Sequence, residues 1–96
     1  MSWKATAWAK ETVGHETSAE KLLLFILADC THPETDLCWP GMASLVEYME
    51  ASDRTVRRSL RRLQAAGFIT EIRHGNQYLG NAVYRLNFDV KISPNV

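Results

Sequence analysis

The sequence predicts a mostly α fold with a C-terminal β-hairpin, and three observations predict it. Apolar residues recur at helical spacing through residues 17–66, in three segments that each follow a capping or turn-forming residue. After Gly67 the period changes to alternation, in the runs Phe68–Arg73 and Ala82–Phe88, with turn-forming residues between them. Only Glu50-Ala51 separates the second helical segment from the third, so the two helices cross steeply.

A chain of 96 residues makes one small domain. Residues 1–16 are an N-terminal arm or short helix, 17–89 the core, and 90–96, with Pro94, a loosely held tail. Trp3 and Trp8 are expected to lay both indoles on the body of the domain. Thr17-Ser18-Ala19-Glu20 has the form of a capping box, in which Thr17 and Glu20 each satisfy the other's backbone amide. The helix it opens is apolar around most of its circumference from Leu22 to Ala28 and is therefore buried by its neighbours, ending near Asp29 or Cys30.

Residues 31–39 are turn-rich and acidic, with Leu37-Cys38-Trp39 as a brief strand. Cys30, His32 and Cys38 match no compact zinc spacing, so no metal is expected and both thiols are read as reduced and buried. Pro40 and Gly41 open a second helix, Met42 to Met49, with Leu45, Met49, Met42 and Val46 inward. Ser52 caps the third, and Gly67 stands where a left-handed terminating residue is wanted. With the hairpin directly behind them, three core helices of this kind make a winged helix-turn-helix.

That third helix, SDRTVRRSLRRLQAAG, concentrates the chemistry. Five arginines (Arg54, Arg57, Arg58, Arg61, Arg62) fall within nine residues, with no acid among them. At about 100° per residue, Val56, Leu60 and Leu63 share one face; Arg54, Arg58 and Arg61 lie opposite, with Arg57 and Arg62 on the flanks. Like charges at such spacing repel by a few tenths of a kcal/mol per pair, about, so an anionic partner is the natural complement. Guanidinium groups suit phosphate and the edge of guanine, whose acceptors match their forked donors.

The net charge of zero conceals a sorting. Residues 1–53 carry three lysines against nine acids, whereas residues 54–96 carry eight basic residues against Glu71 and Asp89. One basic face follows. The longest apolar run is too short to span a bilayer, and the N-terminus lacks a signal-peptide core, so a cytoplasmic protein without a membrane partner is expected.

From CWPGMASLVEYM through EASDRTVRRSLRRLQAAGFI the chain resembles winged helix-turn-helix domains of bacterial, phage and plasmid proteins, both replication-protein-like and small regulators. Trp39-Pro40, Ser52, Thr55-Val56, Leu60, Leu63 and Ala66-Gly67-Phe68-Ile69 carry the likeness. The preceding LLLFILADCTH and SWKATAW are similar to actinobacterial and actinophage members. The resemblance implies sequence-dependent binding of double-stranded DNA, in transcription regulation or DNA replication, with Ser52–Ala66 as the base-reading helix. A turn position often filled by Gly is Glu50 here, which takes a left-handed conformation only at a cost.

Such a helix enters the major groove by its N-terminal part. Arg54, Thr55 and Arg58 are therefore assigned to bases, and Arg57, Arg61 and Arg62 to phosphates. Ser52 caps and can also meet a phosphate; Asp53 either accepts from cytosine or stabilises the helix N-terminus. In the hairpin, Arg73, His74, Asn76 and Gln77, with Tyr78 also in reach, are read either as lying against the neighbouring minor groove or backbone or as part of a hairpin that only covers the core. No catalytic constellation, cofactor motif or small-molecule substrate site is evident, so an enzyme is not expected. Two further expectations stand: a homodimer, since one small domain buries limited DNA surface, and, as the competing function, a protein-interaction module binding an acidic partner.

Overall fold

Residues 3–75 and 80–94 are described by a computed structural model. Their elements run α1 (Trp3–Glu11), α2 (Ser18–Asp29), β1 (Leu37–Cys38), α3 (Met42–Met49), α4 (Asp53–Ala65), β2 (Ile69–Arg73) and β3 (Val83–Leu86). The arm before Thr17 is thus a helix, packed on α2. It does not seat both indoles. Trp8 is buried, whereas Trp3 is 88% exposed. Five residues at about 100° each leave two side chains some 140° apart, so one helix cannot turn both onto the same neighbour.

Local signals fix the ends of the other helices. The capping box at α2 is complete: Ala19 N–H donates to Thr17 Oγ1, and Thr17 N–H donates to Glu20 Oε1 at 3.0 Å. Leu23, Leu24, Leu27 and Ala28 are then enclosed by α1, α3 and α4. Helix α3 buries Leu45 and Met49 and ends at Glu50, whose backbone is left-handed (φ 51°, ψ 45°). Helix α4 begins under the Ser52 hydroxyl, which accepts from Thr55 N–H at 3.1 Å. It ends in a Schellman arrangement. With Gly67 at φ 87°, Phe68 N–H donates to Leu63 O and Gly67 N–H to Gln64 O.

The wing contains one more strand than a hairpin. The sheet order is β1-β3-β2, all antiparallel, with Cys38 opposite Tyr84 and Ile69 opposite Leu86. Register shifts between Glu71 and Arg73, leaving an irregularity at Ile72. Phe68 stays outside the strand because its N–H closes the α4 terminus, although its carbonyl still accepts from Asn87 N–H.

Lys91, Ile92 and Ser93, in the segment expected to be loose, are held. Val13 and Ile92 form a parallel bridge: Val13 N–H donates to Lys91 O, and Ser93 N–H donates to Val13 O. Trp8 Nε1 donates to Val90 O at 2.8 Å, with its ring edge-on to Phe68 and Phe88. Of the two cysteines, Cys38 is buried as expected but Cys30 is exposed, because it caps α2 beyond the last enclosed turn. Among the described residues no helix is long and apolar enough to cross a membrane.

Candidate nucleic-acid interface

Helix α4 packs on α2 and α3 through Val56, Leu60 and Leu63, and Ser59 joins them on the buried side. What remains outside is basic. Arg54, Arg58 and Arg61 stand at spacings of four and three, forming one exposed ridge, and carry no ion pair among the described residues. Arg57 lies beside that ridge, exposed, with its Nε donating to Asp53 Oδ1 at 2.5 Å. Asp53 is thereby occupied at the helix N-terminus. Thr55 is half-buried, and its Oγ1 accepts from the Ser52 hydroxyl at 3.0 Å.

Arg62 departs from the expected set. Its Nε lies 2.6 Å from Glu16 and its Nη1 3.5 Å from Glu20, so its charge is answered inside the domain. The physical reason is the flank it occupies, which faces the start of α2 rather than solvent. Glu20 itself is buried and accepts from Thr17, from Ser59 Oγ at 2.8 Å and from Arg62. A carboxylate with this many donors is stable away from water.

His15 sits against the same region, its ring 4.8 Å from that of Phe68 and its Nε2 2.9 Å from Thr12 Oγ1. Burial, and then the Lys21 ammonium, hold its pKa below the ordinary histidine value, against the opposing pull of Glu20.

From the wing, Arg73 and His74 are exposed. Arg73 donates to Asn81 O at 3.3 Å, and His74 Nδ1 lies 3.0 Å from Glu71 Oε1. Asn76, Gln77 and Tyr78 lie outside the described residues. Between the wing and α4 is an open cleft of about 340 Å³, which brings Arg57 and Arg61 together with His74, Asn81 and Tyr84. The sequence marks Asn81 as a turn former and Tyr84 as a strand residue, and assigns neither to the interface. Asn81 Nδ2 also donates to Trp39 O, tying the wing to the loop before α3. No group of three or more potential metal ligands occurs among the described residues.

This arrangement is a short helix, a tight turn and a second helix presented outward, backed by a small sheet. It has the form in which the second helix of a DNA-binding pair meets the major groove. Neither a curated protein nor a solved structure matches the chain. A family model described as a helix-turn-helix domain matches residues 17–69, from the α2 cap to the first residue of β2. The match spans more than half the chain and contains α2, α3 and α4 whole, and helix-turn-helix domains bind DNA in general. The chain belongs to that helix-turn-helix domain family.

Proposed function

We propose that this protein binds duplex DNA in a sequence-dependent manner, with α4 in the major groove, as a small transcription regulator or replication-associated protein. The observation that carries the reading is the ridge of Arg54, Arg58 and Arg61, exposed and without internal carboxylate partners among the described residues. In this reading Arg54, Thr55 and Arg58, near the helix start, meet base edges, and Arg58 forms a paired contact with guanine. Arg57 and Arg61 meet phosphates, and Ser52 and Asp53 chiefly fix the helix start. Arg73 and His74, with Asn76 and Gln77, lie against the adjoining backbone or minor groove. Arg62 takes no part in DNA contact, since Glu16 and Glu20 already hold it.

Selection of bound sequences from random duplexes, followed by anisotropy titrations over a range of salt, tests this. A preferred sequence is expected, with log affinity falling by about 0.9 per phosphate contact for each unit of log salt. Equal affinity for every duplex would remove the base-reading assignment. Affinity insensitive to salt would remove DNA as the partner.

A further inference from the structure

The cleft of about 340 Å³ between α4 and the wing is bordered by polar groups of two kinds. Some are already answered by the protein: Arg57 by Asp53, His74 by Glu71 and the Asn81 amide by Trp39 O. Three are not. The Arg61 guanidinium, the Gln64 amide one turn further along α4 and the Tyr84 hydroxyl on β3 have no hydrogen-bond or ion-pair partner among the described residues. No enclosed polar side-chain atom lacks a partner among those residues, so the Gln64 and Tyr84 groups reach the open space of the cleft. Tyr84 is 6% exposed, so its ring is part of the floor while its oxygen meets that space.

Beside these groups the floor is apolar: Pro40, Met42 and Ala82 are half-buried there. A concave space of a few hundred Å³, with an apolar floor and few converging polar groups, is the form of a small-molecule site. Its charge selects the ligand. One carboxylate, Glu71, borders the cleft against the two guanidinium groups of Arg57 and Arg61, and His74 Nδ1 lies 3.0 Å from it. Burial, and then that carboxylate, hold the Tyr84 pKa above the ordinary phenol value, so its hydroxyl stays a donor.

We propose that the cleft binds a small ligand, a flat ring system bearing one anionic group, and that this ligand displaces DNA by taking Arg61. The ring covers the apolar floor. The anionic group accepts from the Arg61 guanidinium, whose forked donors suit a pair of oxygens, and from the Tyr84 hydroxyl. The displacement rests on the DNA reading, in which Arg61 meets a phosphate; the ligand site itself does not.

The test takes the full chain, isotope-labelled and free of DNA, and follows its amide resonances as adenosine monophosphate or benzoate is added. Adenosine and inorganic phosphate serve as the separate halves. Shifts should gather on residues bordering the cleft, and one of the two ring-bearing anions should bind about tenfold tighter than either half alone. Which of them does so separates a nucleotide from an aromatic acid. Tyr84→Phe keeps the ring and its burial and removes only the hydroxyl; it should weaken that binding about tenfold, the loss of one hydrogen bond to a charged group. A saturating amount of the same probe should then lower affinity for the selected duplex in anisotropy titrations. No binding by either probe, phosphate alone binding equally well, shifts away from the cleft, or unchanged binding in Tyr84→Phe would overturn the ligand site and leave DNA binding untouched. Duplex affinity undiminished by bound probe would overturn the displacement. A chain that binds the probe and no duplex would overturn the DNA reading and the displacement together, and support the ligand site.

Discussion

Replacing Glu20 with Ala should be among the most damaging single substitutions in this chain. Its carboxylate is the point at which α2 holds α4. Glu20→Ala removes half of the capping box, a loss of about 1 kcal/mol. It also leaves the Ser59 hydroxyl, 1% exposed, without its acceptor at 2.8 Å, which costs about 1–3 kcal/mol. Arg62 adds little, because it keeps Glu16. The sum is about 2–4 kcal/mol, against a total stability on the order of 5–15 kcal/mol for a domain of this size. At roughly 4–8 °C per kcal/mol, the melting temperature should fall by about 10–25 °C. Urea unfolding of wild type, Glu20→Ala, Ser59→Ala and the double variant gives the coupling directly, expected at about 1 kcal/mol or more. A coupling within about 0.3 kcal/mol of zero, or a total loss below about 1 kcal/mol, would refute the claim that this contact anchors α4.

Three further outcomes are expected. Arg58→Ala should cost about 1–3 kcal/mol of DNA binding and relax preference at one base position, and Arg61→Ala should reduce the salt slope by about one unit; Arg62→Ala should leave that slope near wild type and lower stability instead, as paired anisotropy and urea titrations would show. Glu50→Gly should raise stability by about 0.5–1 kcal/mol, because the left-handed backbone costs a side-chain-bearing residue about 1–2 kcal/mol and glycine's extra unfolded freedom takes back part of that; urea midpoints measure it. Because His15 has a lower pKa folded than unfolded, its unfolded form binds the proton first. Its contribution should be complete above about pH 6.5 and be lost as pH falls from there through the lowered folded value; His15→Gln should remove that part of the pH dependence of the unfolding midpoint.

Much of the architecture was legible because its signals are local. Thr17 with Glu20, Pro40-Gly41, Ser52 and Gly67 each mark a helix end within a few residues, and α2, α3 and α4 begin, and α4 ends, where those residues place them. The third strand was half-legible: Leu37-Cys38 reads as extended, but its pairing with residues 84 and 85 depends on the whole chain. Trp3 is exposed and Trp8 buried because the angle on the helix, and not the residue type, decides which indole meets the core. The destination of Arg62 is a matter of distance in sequence, since Glu20 lies 42 residues away. One clue was present. Ser59 interrupts the apolar spacing of Val56, Leu60 and Leu63, and a hydroxyl on an inward face needs a partner.

The bridge between Val13 and Ile92 has a consequence for how the molecule comes apart. Two amides from opposite ends of the described chain, those of Val13 and Ser93, share one small clasp. Fraying at one end therefore releases the other, and α1 cannot peel away while the strap over Trp8 stays shut. In native-state hydrogen exchange these two amides should open together, at one common free energy, as a single latch.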